Sequence, residues 1–407
     1  MVLIRPLAAG DSRDEYVDLR FRSFGPADEE RVWTDAQAAI ADGRCLAAFD
    51  GGRLIGAASY IDLRQWWLGR AVPMAGVAGV KIAPEYRGQG VGRDLMTALV
   101  QLMTERGCLL TALYPATSPI YRRLGWERAG ATYVTAVQAR SVLEFVRPDG
   151  DSGSAKVPAV RRPGPDDAAE VLAVLGRAHQ LARDCGPVTF DEQTVRRWLT
   201  AGRWAGKERY AYLAEDGFLA YAWNGRGEIT VDKLVALSPE TTRALWSVVA
   251  SNASIAETIR AQVAPADPLW WLLREQDAGA ADGHWWMLRV LDARAAIAAR
   301  GFPAVDIDVP LLITDEQVPA NAGWWTLAIR SGSGALVPAA GGPEPLPPAG
   351  GAASKALRLG ARGLAALYAG TPVATLRTAG LAAGGTPDSD AALDSAFAAT
   401  AFMLDTF

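Results

Sequence analysis

Short apolar runs broken by glycine, proline and aspartate occupy residues 2 to 139, and their spacing switches between strand and helix periods. Val2 to Leu7 fits a strand, and Asp11 to Phe24 and Asp28 to Asp42 fit helices, each opening on an Asp able to accept from the free N–H groups of a first turn. Cys45 to Phe49 and Leu54 to Ile61 flank Asp50-Gly51-Gly52, a hairpin turn whose glycines accept positive φ. An apolar stretch from Val72 to Ile82 runs into a glycine-rich loop and then a helix, Val91 to Glu105, with Leu95, Leu99 and Leu102 at helical spacing. A strand at Leu109 to Tyr114, a short helix from Ser118 and a strand at Thr132 to Ala139 complete a mixed α/β unit.

Residues 147 to 166, rich in Pro, Gly and charge, read as a linker or exposed crossover. The order then repeats without the glycines: helices at 166 to 182 and 191 to 201, strands at 210 to 215 and 218 to 223, a strand at Glu228 to Leu237 and a helix at Pro239 to Ala250. A strand at Trp285 to Leu291, a helix at Ala293 to Arg300 and strands near 305 to 313 and 324 to 330 lead to a long Pro/Gly-rich loop at 331 to 353. The remainder alternates Ala-rich helix and turn and ends on Phe402, Met403, Leu404 and Phe407, a third segment of α+β type.

At 407 residues the chain is too long for one core and calls for two or three domains. Forty-one Lys+Arg against 45 Asp+Glu leave a net charge of -4, so no general positive field exists to hold nucleic acid. Three scattered cysteines, Cys45, Cys108 and Cys185, and two histidines, His179 and His284, indicate neither a disulfide framework nor a metal site. No apolar run reaches membrane-spanning length, and a cytoplasmic location without membrane contact is expected.

The strongest chemical signal is the run Val80-Lys81-Ile82-Ala83-Pro84-Glu85-Tyr86-Arg87-Gly88-Gln89-Gly90-Val91-Gly92. Glycines let a backbone approach an oxyanion closely, and a helix N-terminus supplies free N–H groups and positive potential. A pyrophosphate suits such a loop. It is neither a Walker A motif nor a dinucleotide fingerprint, and a glycine turn between strand and helix is by itself more often structural.

The order of elements around it decides. The run V-x-I-x-P-x-x-R-G-x-G-V-G resembles the acetyl-CoA signature of GNAT N-acetyltransferases, and the whole chain resembles the Eis-like members of that family. Further matching stretches are Tyr60 to Arg64, Ile120 to Trp126, Ala244-Leu245-Trp246, Asp267-Pro268-Leu269, Ala296 to Phe302, and Leu393 to Phe397 with the terminal Phe407. The resemblance implies tandem GNAT acyltransferase domains followed by a C-terminal sterol-carrier-protein-like α+β domain: a catalytic domain at 1–146, a degenerate second GNAT domain at 147–288, and a third at 289–407 that contributes its C-terminus to the active site.

It further implies that main-chain groups of Val80, Lys81 and Ile82 meet pantetheine, that Arg87, Gly88, Gln89, Gly90, Val91, Gly92 and Arg93 hold pyrophosphate, and that Thr117 and Ser118 complete the coenzyme site. Tyr121 falls at the general acid, the Phe407 carboxylate at the base, and Asp28, Trp33 and Asp405 at the amine pocket. Each has a plainer alternative: Tyr121 a packed phenol, Asp28 a helix cap, Trp33 a core residue. The doublets Trp66-Trp67, Trp270-Trp271, Trp285-Trp286 and Trp324-Trp325 fit core or subunit-interface positions. Expected partners are acetyl-CoA and an amine of a polycationic small molecule, in the first place an aminoglycoside and otherwise a peptide lysine, a polyamine or an antibiotic intermediate. Binding of coenzyme A or lipid without turnover is the non-enzymatic alternative. No metal is implied, and the family's homohexamer carries over as an expectation.

Overall fold

A computed structural model describes residues 2–146, 158–204, 207–275, 282–339 and 355–407. In the first segment β1 (Leu3–Pro6), α1 (Arg13–Phe24), α2 (Glu29–Ala41), β2 (Cys45–Asp50), β3 (Arg53–Trp67), β4 (Arg70–Ile82), α3 (Val91–Glu105), β5 (Leu110–Leu113), α4 (Pro119–Arg123), β6 (Glu127–Gln138) and α5 (Ala139–Val146) follow in order. Helix starts form where polar side chains take up free N–H groups: Ser12 accepts from Glu15 N at 3.2 Å and Asp28 from Arg31 N at 2.7 Å. The last strand begins at Glu127, earlier than Thr132, and Ala139 starts a helix where the strand was expected to end.

The second segment contains α6 (Ala168–Leu181), β7 (Cys185–Thr189), α7 (Glu192–Ala201), the two-residue strands β8 (Arg203–Trp204) and β9 (Lys207–Glu208), β10 (Tyr210–Ala214), β11 (Gly217–Trp223), β12 (Glu228–Ala236), α8 (Pro239–Ala250), β13 (Thr258–Val263) and α9 (Leu269–Leu272). Of the expected linker, 147–157 lies outside the described residues; Arg161 bridges to Leu213. β7 carries Gly186 and Pro187, residues that argue against a central strand, and it pairs with the far half of β3, off the main order of the sheet.

β14 (Asp282–Val290) closes the second segment, and the third runs α10 (Ala293–Ala299), β15 (Ile307–Thr314), β16 (Gly323–Arg330), β17 (Ser333–Pro338), β18 (Leu357–Gly360), α11 (Ala361–Tyr368), α12 (Val373–Thr378), β19 (Ala382–Gly384) and α13 (Pro387–Phe397). β17 occupies part of the tract expected to be loop, 331–353, because it pairs with β16 from Ser333↔Arg330 to Pro338↔Trp325; the stretch from 340 on lies outside the described residues.

Strand order shows why sequence segments and sheets do not coincide. The large sheet runs β1-β2-β3-β4-β5-β14-β6-β13-β12-β11-β10, so β14 is inserted between β5 and β6. β6 in turn pairs with β13 of the second segment, from Thr258↔Gln138 to Val263↔Tyr133. A separate sheet, β17-β16-β15-β18-β19, belongs to the third segment. One apolar cluster joins all three, with Trp67, Leu110, Val171, Phe218, Trp286, Ile313, Tyr368 and Phe397 among its members. Of the doublets, Trp67 and Trp286 lie fully inside, whereas Trp271 and Trp285 are exposed. Among the described residues no helix is long and apolar enough to cross a membrane, and no group of three or more His, Cys, Asp or Glu side chains could hold a metal.

Candidate active site

β4 and β5 run parallel through Met74↔Leu110, Ala75↔Thr111 and Gly76↔Ala112, and there the ladder stops although β4 continues to Ile82. A wedge therefore opens in the sheet, with main chain of β4 on one wall. On its other edge β4 pairs with β3, but the register shifts between Ser59↔Ala78 and Ala57↔Lys81, a bulge centred on Gly79 at φ 62°. Gly79 is exposed, and Val80 and Ile82 are half-buried, facing the apolar cluster beneath α3.

Beyond Ile82 the chain makes a short turn, Pro84–Tyr86, and reaches α3 through Gly88 at φ 79° and Gly90 at φ 90°. Both angles lie where side chains are strained, which explains glycine at these two positions. No side chain caps α3, so the N–H groups of its first turn, Val91 to Arg93, face a possible anion with the helix dipole behind them. A Cβ at Gly88 would meet nothing within 4 Å; one at Gly90 would lie 3.3 Å from the Arg93 guanidinium. Arg93 itself is paired with Asp94 at 2.9 Å, Arg87 donates from Nε to the Ile82 carbonyl at 3.2 Å, and Gln89 donates to the Glu85 carbonyl at 2.8 Å. Gly92 serves packing: a Cβ there would touch Ile120 at 3.3 Å and Ile82 at 3.5 Å. Val91 is buried, so only its main chain can face a ligand. Thr117 is exposed and Ser118 half-buried at the start of α4, between the end of β5 and the helix.

Tyr121 is buried on α4 and meets the Trp126 ring edge-on at 6.2 Å, in the same cluster as Leu95 and Leu99 of α3. Burial pushes its phenol above the ordinary value, so the proton is held through neutral pH.

The C-terminal tail reaches the wedge by running past β6 and β7. Phe402 forms a parallel bridge with Ala131 and donates its N–H to the Cys185 carbonyl at 3.0 Å, and Met403 N donates to the Ala131 carbonyl at 3.1 Å. Space for it is made by glycines: a Cβ at Gly130 would lie 2.3 Å from the Ala401 carbonyl oxygen, and one at Gly186 would overlap the Phe402 carbonyl oxygen. The Tyr114 hydroxyl, just past β5, donates to the Asp405 carbonyl at 2.6 Å, and the Phe407 ring lies 5.5 Å from the Tyr114 ring. Phe407 covers Gly76, where a Cβ would be 2.6 Å from the phenyl ring. The terminal aromatic thus sits at the apex of the wedge, beside the last paired residue of β4.

Of the residues expected at the amine pocket, Asp405 is engaged elsewhere. Asp405 is fully buried, and both its carboxylate oxygens lie 2.7 Å from Lys233 Nζ of β12; its charge is spent inside the protein and offers no free acid to a cation. Asp28 is exposed and caps α2, and Trp33 packs edge-on against Tyr16 at 5.9 Å. The main chain of Lys81 lies on the wall of the wedge between Val80 and Ile82. Its side chain turns to the α1 face, where Nζ lies 3.9 Å from the Tyr16 ring centroid and donates to the Gly79 carbonyl at 3.3 Å. Burial pushes this ammonium down to about 8. Lys233, Tyr114 and Gly76 were not anticipated; the polar Lys81 interrupting an otherwise apolar strand was the one visible signal on this face.

Residues 4–129 match a family model described as an acetyltransferase (GNAT) domain, residues 188–290 a second model with the same description, and residues 293–404 a sterol carrier protein domain. N-acetyltransferase Eis of Mycobacterium tuberculosis is 29% identical over 254 residues, covering 60% of this chain and 60% of that protein, so the match spans about three fifths of the curated relative's length. The crystal structure of a GCN5-related N-acetyltransferase from Kribbella flavida superposes with a TM-score of 0.89 at 43% identity, covering 100% of this chain and 98% of that one. Eis1 from Mycobacterium abscessus shares the fold, with a TM-score of 0.75 at 22% identity and full coverage of both chains.

Proposed function

The chain belongs to the GCN5-related N-acetyltransferases, in the Eis-like form with two such domains and a sterol carrier protein domain, and we propose that it transfers acetyl from acetyl-CoA to an amine of a small molecule. The observation that carries this is the wedge between β4 and β5, with the uncapped N-terminus of α3 at its mouth and Phe407 at its apex. Main chain at Val80 and Ile82 holds the pantetheine arm, and the Gly88 to Arg93 turn holds the pyrophosphate. The neutral amine attacks the thioester carbonyl, a C–N bond forms and the C–S bond breaks. Tyr121, kept protonated by burial, gives its proton to the departing thiolate. The Phe407 carboxylate takes the proton that the amine loses, directly or through water. A reference α-carboxyl pKa of about 3.5 makes it a weak base, so its efficiency depends on the apolar Tyr114 and Gly76 surroundings.

An aminoglycoside is the polycationic acceptor that the Eis resemblance brings. A second acceptor class, amines with a single positive charge, is favoured by a specific observation: Asp405 is neutralised by Lys233, and a further buried lysine, Lys81, lies on the face of β4 that Phe407 covers. Free thiol release from acetyl-CoA, measured with aminoglycosides, polyamines, lysine peptides and monoamines, separates these. Absence of release with every amine, while acetyl-CoA still binds, would leave a binding protein.

A chain ligated to end in a C-terminal carboxamide keeps the size of Phe407 and loses its charge. It should bind acetyl-CoA normally and transfer at least about tenfold more slowly. Equal rates for the acid and amide forms would return Phe407 to a packing role. A homohexamer is proposed with the same family reading, and the mass in solution tests it.

A further inference from the structure

The second domain contains a wedge of its own. β12 and β13 pair in parallel from Glu228↔Thr258 to Val231↔Ala261, and β12 then continues unpaired on that side to Ala236, as β4 continues past Gly76. On the opposite edge β12 carries a bulge, with the register stepping from Tyr221↔Val231 to Ala220↔Lys233. β4 steps in the same sense, from Ser59↔Ala78 to Ala57↔Lys81. Lys233 and Lys81 therefore hold matching positions, each the first paired residue after the bulge of its strand.

The two wedges differ in what fills them. In the first, Phe407 occupies only the apex and the exposed Gly79 leaves the rest open, whereas the second holds the preceding residues of the protein's own tail. Lys233 on one wall binds both carboxylate oxygens of Asp405 at 2.7 Å, and Gln262 on the other, in β13, donates to the Met403 carbonyl at 3.2 Å. Both charged side chains are buried, so the pair has few ways to rearrange without leaving a charge unpaired. Asp405 also joins the two domains: its side chain binds Lys233 of the second, and its main-chain oxygen accepts from Tyr114 of the first. Phe407 follows two residues later, against Gly76 and Tyr114.

We infer that the degenerate second acyltransferase wedge is a clamp for the C-terminal tail, and that Lys233 is a positioning residue which, through Asp405, holds Phe407 at the apex of the first wedge. The catalytic link rests on the proposed role of the Phe407 carboxylate; the clamp does not.

The test reads the tail and the reaction separately on the full-length chain. Lys233→Met and the nearly isosteric Asp405→Asn are compared with wild type for release of Phe407 by carboxypeptidase, for acetyl-CoA affinity by calorimetry, and for kcat and KM with the best amine of the panel. Lys233→Arg, which keeps the charge, serves as the conservative rescue. Expected are release of Phe407 accelerated about tenfold or more in both charge-removing variants, unchanged acetyl-CoA affinity, and a kcat lowered about tenfold or more with KM little altered. Lys233→Arg should recover most of both. Should Lys233→Met fail to fold, as lost acetyl-CoA binding would reveal, Asp405→Asn carries the same comparison without a size change. Release of Phe407 at the wild-type rate in a variant that binds acetyl-CoA overturns the clamp. Faster release with unchanged kcat keeps the clamp and overturns both the positioning role of Lys233 and the use of Phe407 as base. The carboxamide form tests that use alone, because it leaves Lys233 and Asp405 intact.

Discussion

Lys81 on β4 and Tyr121 on α4 obey one rule: burial disfavours the charged form of each. For Lys81 the groups facing its ammonium are Tyr16 and Arg20 of α1, Cys45 of β2 and the Gly79 carbonyl; burial also raises Cys45 to about 11, so its thiol is neutral at pH 7 and supplies no charge to offset the burial of the ammonium. Its folded value of about 8 lies below the unfolded reference near 10.4. Between those values the unfolded chain holds a proton that the folded chain has released, so the penalty is full below about pH 8 and fades as pH rises. Lys81→Met should accordingly stabilise the protein by about 1 to 4 kcal/mol at neutral pH, with the gain shrinking toward about pH 10. Urea unfolding of both forms at the two pH values measures this, and a gain that grows with pH would contradict it. For Tyr121 the shift runs upward, so its phenol keeps its proton at mildly alkaline pH. Tyr121→Phe should lower turnover about 10²-fold with acetyl-CoA affinity unchanged, and the ratio of the two rates should stay level from about pH 7 to about pH 9. Near-normal turnover in the variant would leave Tyr121 as a ring packed on Trp126.

Among the elements, α3 does the most for its length. Leu95, Met96, Leu99, Val100 and Met103 bury one face against the sheet, while its first turn is left without a side-chain cap. Gly90→Glu places a carboxylate in the positive potential of that turn and forces a non-glycine residue to φ 90°. Binding of acetyl-CoA, followed by calorimetry, should be abolished while far-ultraviolet circular dichroism stays that of the folded protein. Unchanged affinity would remove the turn from the coenzyme site. This element was legible in the sequence because strand, glycines and helix are contiguous, and Val91–Glu105 forms over the residues its leucine spacing indicates. β13 alternates buried and half-buried residues in the pattern of a strand, yet Arg260 and Gln262 on its second face hid it. The loop expected across 331 to 353 contains β17 because pairing with β16 outweighs its glycine, serine and proline.

Across the whole molecule, the inserted β14 ties the first domain to the second. It pairs with β5 from Val290↔Leu110 to Met287↔Leu113 and with β6 from Leu288↔Glu127 to Asp282↔Val134. Residues 1–146 alone would expose both of those edges and the Trp67, Met74 and Leu110 portion of the shared core. Such a fragment should aggregate or unfold without cooperativity, and co-expression with residues 158–407 should recover a soluble complex that binds acetyl-CoA; a cooperatively folded fragment would show that the first domain stands alone. The third domain adds Arg300, buried among the rings of Trp67, Phe302, Tyr368 and Phe397, so its packing extends into the base of the first sheet. By itself the sequence determined most helices, the β2–β3 hairpin, the glycine turn before α3 and the family resemblance, since each depends on propensities and contacts within a short stretch of chain. Tertiary structure alone decided that β14 separates β5 from β6, that Lys81 is buried beneath α1, and that Asp405 meets a lysine 172 residues away instead of a substrate amine. A side chain's charge is written in the sequence, but the partner that neutralises it is set by strand order and by the path of the tail, which no local pattern encodes.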